Sequence, residues 1–139
     1  MRPVFEILEH TADLGFRATG ATLAELFEKA AEALVAIALN PENVEARETI
    51  ALEAKGESRE ALLVNWLSEV LYWIDGEHRA LRGFKVRDLT EGRVAGEAQG
   101  ERRDPARHEP RLVVKGITYH QLKIEHSEQG WQCEVYLDI

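Results

Sequence analysis

Residues 22–41 carry the clearest structural signal in the chain, and they read TLAELFEKAAEALVAIALNP. Thr22 and Glu25 form a capping box, in which the Thr22 hydroxyl accepts from the Glu25 N–H and the Glu25 carboxylate accepts from the Thr22 N–H. Asn40 and Pro41 end the pattern, because proline lacks the N–H that a continuing helix needs. The stretch predicts an amphipathic helix whose core-facing stripe comprises Leu23, Leu26, Phe27, Ala30, Ala31, Leu34, Ile37 and Ala38.

A second helix is predicted after Ser58, whose hydroxyl is a suitable N-cap, and it ends at Gly76. We expect its two tryptophans, Trp66 and Trp73, in the core or at its rim. The wide apolar face of this helix comprises Leu62, Leu63, Trp66, Leu67, Val70, Leu71 and Ile74.

The remaining segments predict strands. From Val44 to Lys55 the apolar residues alternate with polar ones, which is typical of a half-buried strand. Further strands are predicted at residues 4–8, 15–19, 81–89, 93–99, 112–119, 121–126 and 131–139, the last two joined by a hairpin across 127–130.

Two helices among these strands indicate an α+β fold. We expect a two-layer sandwich, with two helices packed on one face of a mixed, largely antiparallel β-sheet and a more polar opposite face. No repeat, low-complexity tract or Pro/Gly-rich linker divides the sequence, so residues 1–139 are expected to form a single domain.

The amino-acid composition and charge argue against several classes of protein. The 139 residues include 17 Lys and Arg against 25 Asp and Glu, a net charge of -8. This charge argues against autonomous nucleic-acid binding, which needs cations to neutralise phosphates, although residues 79–115 hold 10 bases against 6 acids and a local basic patch is possible there. The lone Cys133 excludes an intrachain disulfide and fits a reducing compartment. With no long apolar run, a cytoplasmic location is expected.

The first candidate site is the motif HTADLG at residues 10–15, between two short predicted strands. Loops placed by a rigid sheet often carry function, and His10 and Asp13 are an ionisable pair. The alternative is that Asp13 forms an Asx-turn and His10 lies on the surface.

The second candidate is the C-terminal end, where Asp138 and the α-carboxylate of Ile139 are one residue apart. Two anionic groups packed in a sheet raise each other's pKa unless a cation lies between them. If Asp13 approached as well, the oxygen cluster would suit Ca²⁺, Mg²⁺ or Mn²⁺ rather than zinc.

A third, weaker candidate is the polar stretch that contains Asp104 and His108, followed by Lys115. Lys115 could lie over the sheet as a charge partner for the carboxylates, or it could point to solvent. Familiar enzyme signatures are missing from the sequence: it has no GxSxG, HExxH, GxxxxGK[ST] or GxGxxG. Cys133 lies in the apolar register of the last strand, where a thiol is expected to be inert core. A cofactor protein or adaptor is therefore favoured over a stand-alone enzyme.

Four motifs in order resemble the archease family over essentially the whole chain: HTADLG at 10–15, LLVNWLSEVLY at 62–72, VKGITYH at 114–120 and VYLDI at 135–139. The resemblance implies a non-enzymatic activator of an RtcB-type RNA ligase in tRNA splicing and RNA repair. Such an activator promotes metal-dependent ligase guanylylation with GTP and multiple turnover. The alternatives are a chaperone-like scaffold for tRNA-modifying enzymes and a small metal-dependent hydrolase.

The resemblance also implies site residues. The ligands of the family's metal ion correspond to Asp13, Asp138 and Ile139, with Ca²⁺ as the first choice and Mg²⁺ or Mn²⁺ as alternatives. His10, Asp104, His108 and Lys115 are expected as supporting or partner-facing residues. The expected partner is the RNA ligase, without high-affinity nucleic-acid binding of the chain's own and without a membrane.

Overall fold

The computed structural model of the chain describes residues 5–9 and 14–139. Its elements, in chain order, are β1 (Phe5–Glu9), β2 (Leu14–Gly20), α1 (Leu23–Ala38), β3 (Glu48–Lys55), α2 (Arg59–Leu71), β4 (Arg79–Leu89), β5 (Arg93–Arg102), β6 (Gly116–Ser127) and β7 (Gly130–Asp138). One π-helical turn, Tyr72–Gly76, continues α2. No helix in the described part of the chain is long and apolar enough to cross a membrane.

The α+β class is confirmed, but the strands form two sheets rather than one continuous sheet. The first sheet has the order β1-β2-β7-β6 and the second β3-β5-β4, and every pairing within them is antiparallel. Each helix contacts both sheets: α1 packs on β2 and β4, and α2 packs on β3 and β6. The difference arises because periodicity marks which residues form strands but not which strands share hydrogen bonds.

Helix α1 begins and ends where its sequence predicts, with one change at the cap. The Thr22 hydroxyl accepts from the Glu25 N–H at 3.1 Å, as expected. The Glu25 carboxylate accepts from the N–H of Ala21 at 3.3 Å instead of from that of Thr22. Both bonds satisfy N–H groups that have no partner within the helix. Burial extends beyond the predicted stripe to Ala33 and Val35, since α1 meets a sheet on more than one side.

Helix α2 is capped by Ser58, whose hydroxyl accepts from the Ala61 N–H at 3.0 Å. Trp66 is fully buried, and its indole Nε1–H donates to the carbonyl oxygen of Phe27 at 3.0 Å. This bond satisfies the polar atom of a core tryptophan and links the two helices. Trp73 is partly buried against the same core, which confirms its expected place at the rim.

The predicted strands are present, but some of them begin at other residues than predicted. In β3 the buried residues Ile50, Leu52 and Ala54 alternate with exposed ones, although the strand starts at Glu48 rather than Val44. The strand predicted at 112–119 starts at Gly116, because the N–H of Leu112 donates to the carbonyl of Ile37 in α1 instead of pairing in a sheet. It joins the strand predicted at 121–126 in a single β6, with a register shift between Thr118 and Lys123.

Replacing Thr22 with alanine should lower the free energy of unfolding by about 1 kcal/mol, because the Glu25 N–H loses its acceptor at the start of a core helix. Urea denaturation followed by circular dichroism measures the change. Thr22→Ser is the matched control, since it keeps the hydroxyl and should retain most of the stability. Equal stability of Thr22→Ala and wild type would contradict the role of the cap.

Candidate functional site

The carboxyl end of β7 lies between the start of β2 and the start of β6. Leu137 is the register partner of Leu14 on β2, and Asp138 is the partner of Gly116 on β6. The N–H of Lys115 donates to the carbonyl oxygen of Asp138 at 2.7 Å. The backbone at Asp138 is therefore held in place, while its side chain is exposed.

The predicted site residues differ in how they are placed. Asp138, Ile139, Lys115 and Asp104 are all exposed, and Ile139 keeps 41% of its surface accessible. His10 and Asp13 lie outside the described residues. Within 5–9 and 14–139, no group of three or more His, Cys, Asp or Glu side chains is placed to hold a metal ion. The ligand set that includes Asp13 stays a prediction.

The glycine of the HTADLG motif is explained by packing. A Cβ built on Gly15 would lie 2.6 Å from the Cε1 atom of Tyr136, closer than real Cβ contacts allow. Tyr136 is the register partner of Gly15, is 6% exposed and has its ring edge-on to that of His120. The motif and the VYLDI motif therefore meet across one strand pair, with the tyrosine ring over the glycine.

The Asp104–His108 stretch belongs to a buried ionic cluster that the sequence did not reveal. Glu101, at the end of β5, is 4% exposed and His108 is fully buried. The two terminal nitrogens of Arg107 each donate to a different carboxylate oxygen of Glu101, both at 3.0 Å. The N–H of Glu45 and the Nε–H of Arg47 also donate to this carboxylate, at 2.7 and 3.1 Å. A buried carboxylate needs such a shell, because burial without partners is costly.

The hydrogen bonds of His108 determine its tautomer. The N–H of Asp104 donates to Nδ1 at 2.8 Å, so Nδ1 is an acceptor and the ring proton is on Nε2. Nε2 lies 2.9 Å from the Glu101 carboxylate and donates to it. With both nitrogens occupied and the ring buried, His108 supports the loop and has no nitrogen left for a metal ion. Asp104 turns the same loop, since its Oδ1 accepts from the N–H of Ala106 at 3.0 Å.

The pKa of the Glu101 carboxyl is lowered from 4.5 to about 2, mainly by the hydrogen bonds from Arg107 and then by the backbone N–H of Glu45. Sequence reasoning missed Glu101 because a glutamate near the end of a strand is normally solvated. The available signal was the Arg107-His108 pair a few residues further on, which can fold back on the strand end.

Some of the bases in residues 79–115 form ion pairs within the fold. On the second sheet, Arg79 pairs with Glu48, Arg87 with Glu97, and Arg93 with both Glu53 and Asp88. These pairs offset part of the positive charge of the segment, and the expectation of no high-affinity nucleic-acid binding stays a prediction.

Cys133 is buried in β7, as its register predicts. Burial raises the pKa of its thiol to about 12, so the nucleophilic thiolate is essentially absent near neutral pH. This agrees with the expectation of an inert core thiol.

The fold and the site together define a small α+β protein with exposed carboxylates at one strand end and a buried ionic cluster behind a connecting loop. The model of the archease protein family (MTH1598/TM1083) matches residues 5–139. The archease of Pyrococcus furiosus is 42% identical over 139 residues, covering 97% of this chain and 98% of that protein. The chain belongs to the archease family.

Two solved structures share the fold. The solution structure of Methanobacterium thermoautotrophicum protein 1598 matches with a TM-score of 0.80 and 34% identity, covering 98% of this chain and 99% of that one. The crystal structure of an archease from Thermotoga maritima, described as a possible chaperone, matches with a TM-score of 0.61 and 22% identity, covering 100% and 97%. At that lower identity the likeness is one of fold alone.

Glu101→Gln should destabilise the protein most at neutral pH and progressively less in acid. The folded-state pKa of Glu101 is depressed, so its stabilising contribution is present above pH 4.5 and is lost as the pH falls towards 2. Urea unfolding of wild type and variant at pH 7, 5 and 3 measures this difference. A gap in unfolding free energy that stays constant over this range would contradict the assignment.

Proposed function

We propose that this chain is a non-enzymatic activator of an RtcB-type RNA ligase, which acts in the cytoplasm in tRNA splicing and RNA repair. Family membership supports the proposal, since the resemblance to archeases implies promotion of ligase guanylylation and of multiple turnover. The observation that carries it is the pairing of Leu14 with Leu137. Asp13 precedes Leu14 and Asp138 follows Leu137, so this register supports two carboxylates at one end of neighbouring strands.

The groups that would hold a metal ion are the carboxylates of Asp13, Asp138 and Ile139. All are oxygen donors, which suit a hard divalent cation: Ca²⁺ first, with Mg²⁺ and Mn²⁺ as alternatives. The exposure of Asp138 and Ile139 fits a site that meets a partner. When bound, the ion supplies positive charge that offsets charge developing on phosphate groups.

Apolar surface near the carboxylates fits a docking role. Leu112, Val113 and Tyr119 keep 45%, 70% and 58% of their surfaces exposed, all within a few residues of Lys115 on the same segment. Large exposed apolar groups indicate an interaction surface when they lie together. In the proposed complex these side chains exclude water around Asp138, and Lys115, His10 and Asp104 face the ligase. The net charge of -8 favours association with a basic, RNA-binding protein.

The test is single-turnover guanylylation of the cognate RtcB-type ligase with GTP and Mn²⁺. Wild-type protein should stimulate the reaction, whereas Asp13→Ala and Asp138→Ala should reduce it to the rate of the ligase alone, because each loses a proposed ligand. Circular dichroism establishes that the variants are folded. Glu128→Ala is the matched control, since it removes an exposed carboxylate beyond the opposite end of β7 and should stimulate like wild type.

The other outcomes separate the alternatives. Equal stimulation by all variants would contradict the carboxylate mechanism and favour a chaperone-like scaffold for tRNA-modifying enzymes. Turnover of a phosphoester by the isolated protein, lost in Asp138→Ala, would favour a small metal-dependent hydrolase. Failure of the wild-type protein to stimulate the ligase would contradict the proposed function.

A further inference from the structure

Residues 103–115, here called the strap, carry the chain from β5 in the second sheet to β6 in the first. The strap contains no long element of its own, so its position depends on the contacts that it makes. It runs from the buried Glu101 cluster, past the C-terminal end of α1, to the carbonyl oxygen of Asp138. It thus connects three parts of the molecule that are far apart in sequence.

The middle of the strap caps α1. The last carbonyl groups of a helix have no partner within it, and α1 has no basic residue in its last turn. Arg111 donates its backbone N–H to the carbonyl of Ala38 at 3.0 Å and its side-chain Nη1–H to that of Ala36 at 2.9 Å. The N–H of Leu112 donates to the carbonyl of Ile37 at 3.1 Å. A cation from the strap therefore lies at the negative end of the helix dipole.

The cap lies close to the candidate site along the chain. Val114, three residues beyond Arg111, is 2% exposed, and the N–H of Lys115 reaches the carbonyl of Asp138 at 2.7 Å. Between a capped helix end and a buried valine, the chain from Arg111 to Lys115 has little freedom to move. Three carbonyl acceptors of α1 thus hold the strap three to four residues before the Lys115 amide.

We propose that Arg111 is a positioning residue of the candidate site, which holds the strap on α1 and thereby holds the Lys115 amide on the carbonyl of Asp138. Its guanidinium donates to the carbonyl of Ala36 in α1, so it acts through the strap. That this positioning helps Asp138 to bind a metal ion rests on the proposed function. The coupling between Arg111 and Lys115 does not depend on the proposed function.

Hydrogen exchange followed by NMR tests the coupling directly. Arg111→Met keeps the apolar stem and removes the side-chain donor to Ala36. We expect the Lys115 amide to exchange at least about tenfold faster than in wild type, while amides inside α2, such as that of Leu67, keep their rates. Arg111→Lys retains a cation at the helix end and should restore part of the protection.

Arg87→Met is the matched control, because Arg87 pairs only with Glu97 on the second sheet among the residues described and should leave Lys115 unchanged. Unchanged protection of Lys115 in Arg111→Met, or a Lys115 amide unprotected in wild type, would overturn the proposal. An equal acceleration at Leu67 and Lys115 would also overturn it, since it would show a general loss of stability.

Titration with Mn²⁺ alone separates this proposal from the proposed function. If wild type binds Mn²⁺ and Asp138→Ala does not, Arg111→Met should bind it several-fold more weakly, and unaltered affinity would contradict a positioning role. If wild type binds neither Mn²⁺ nor, in a parallel titration, Ca²⁺ or Mg²⁺, the metal site of the proposed function fails, and the exchange experiment still decides whether Arg111 positions Lys115.

Discussion

Both helices contact both sheets, and the core depends on this shared packing. A helix that meets one layer needs a single apolar stripe, whereas α1 buries residues on more of its circumference. The small residues Ala30, Ala31 and Ala33 are fully buried. Their short side chains let neighbouring elements pack close to α1. The Trp66 indole bond to the Phe27 carbonyl then fixes one helix against the other. The strand ends that form the candidate site are positioned by this core.

The sequence predicted the structural features that depend on neighbouring residues in the chain. Thr22, Ser58 and Pro41 act through their own backbone neighbourhood, so the helix starts and the end of α1 follow from sequence. The division into two sheets did not follow, because strand partners depend on contacts between distant segments. The late start of β6 has the same origin: residues 111 and 112 satisfy carbonyl groups of α1, which no pattern within 112–119 reveals.

The metal ligands named from the sequence stay a prediction, whereas the contacts around the neighbouring loop could not be predicted. Asp138 and Ile139 were named from the sequence, and both are exposed. The role of His108 was open in the sequence, and only the bonds to Asp104 and Glu101 identify it as a buried supporting residue. Glu101 itself was missed, since its donors come from two segments, residues 45–47 and 107–108, and the first lies more than fifty residues away.

The register shift in β6 has a consequence for whether another chain can pair with this strand. β6 is the outer strand of the first sheet, and a long, flat outer strand presents unpaired N–H and C=O groups on which another chain can add a strand. Between Thr118 and Lys123 the ladder is interrupted, and Gln121 adopts a positive φ of 54°. Such an irregularity bends the strand and removes a regular template for pairing. The exposed Tyr119 lies in this interrupted stretch, so an apolar side chain is presented where the strand offers no regular template for pairing.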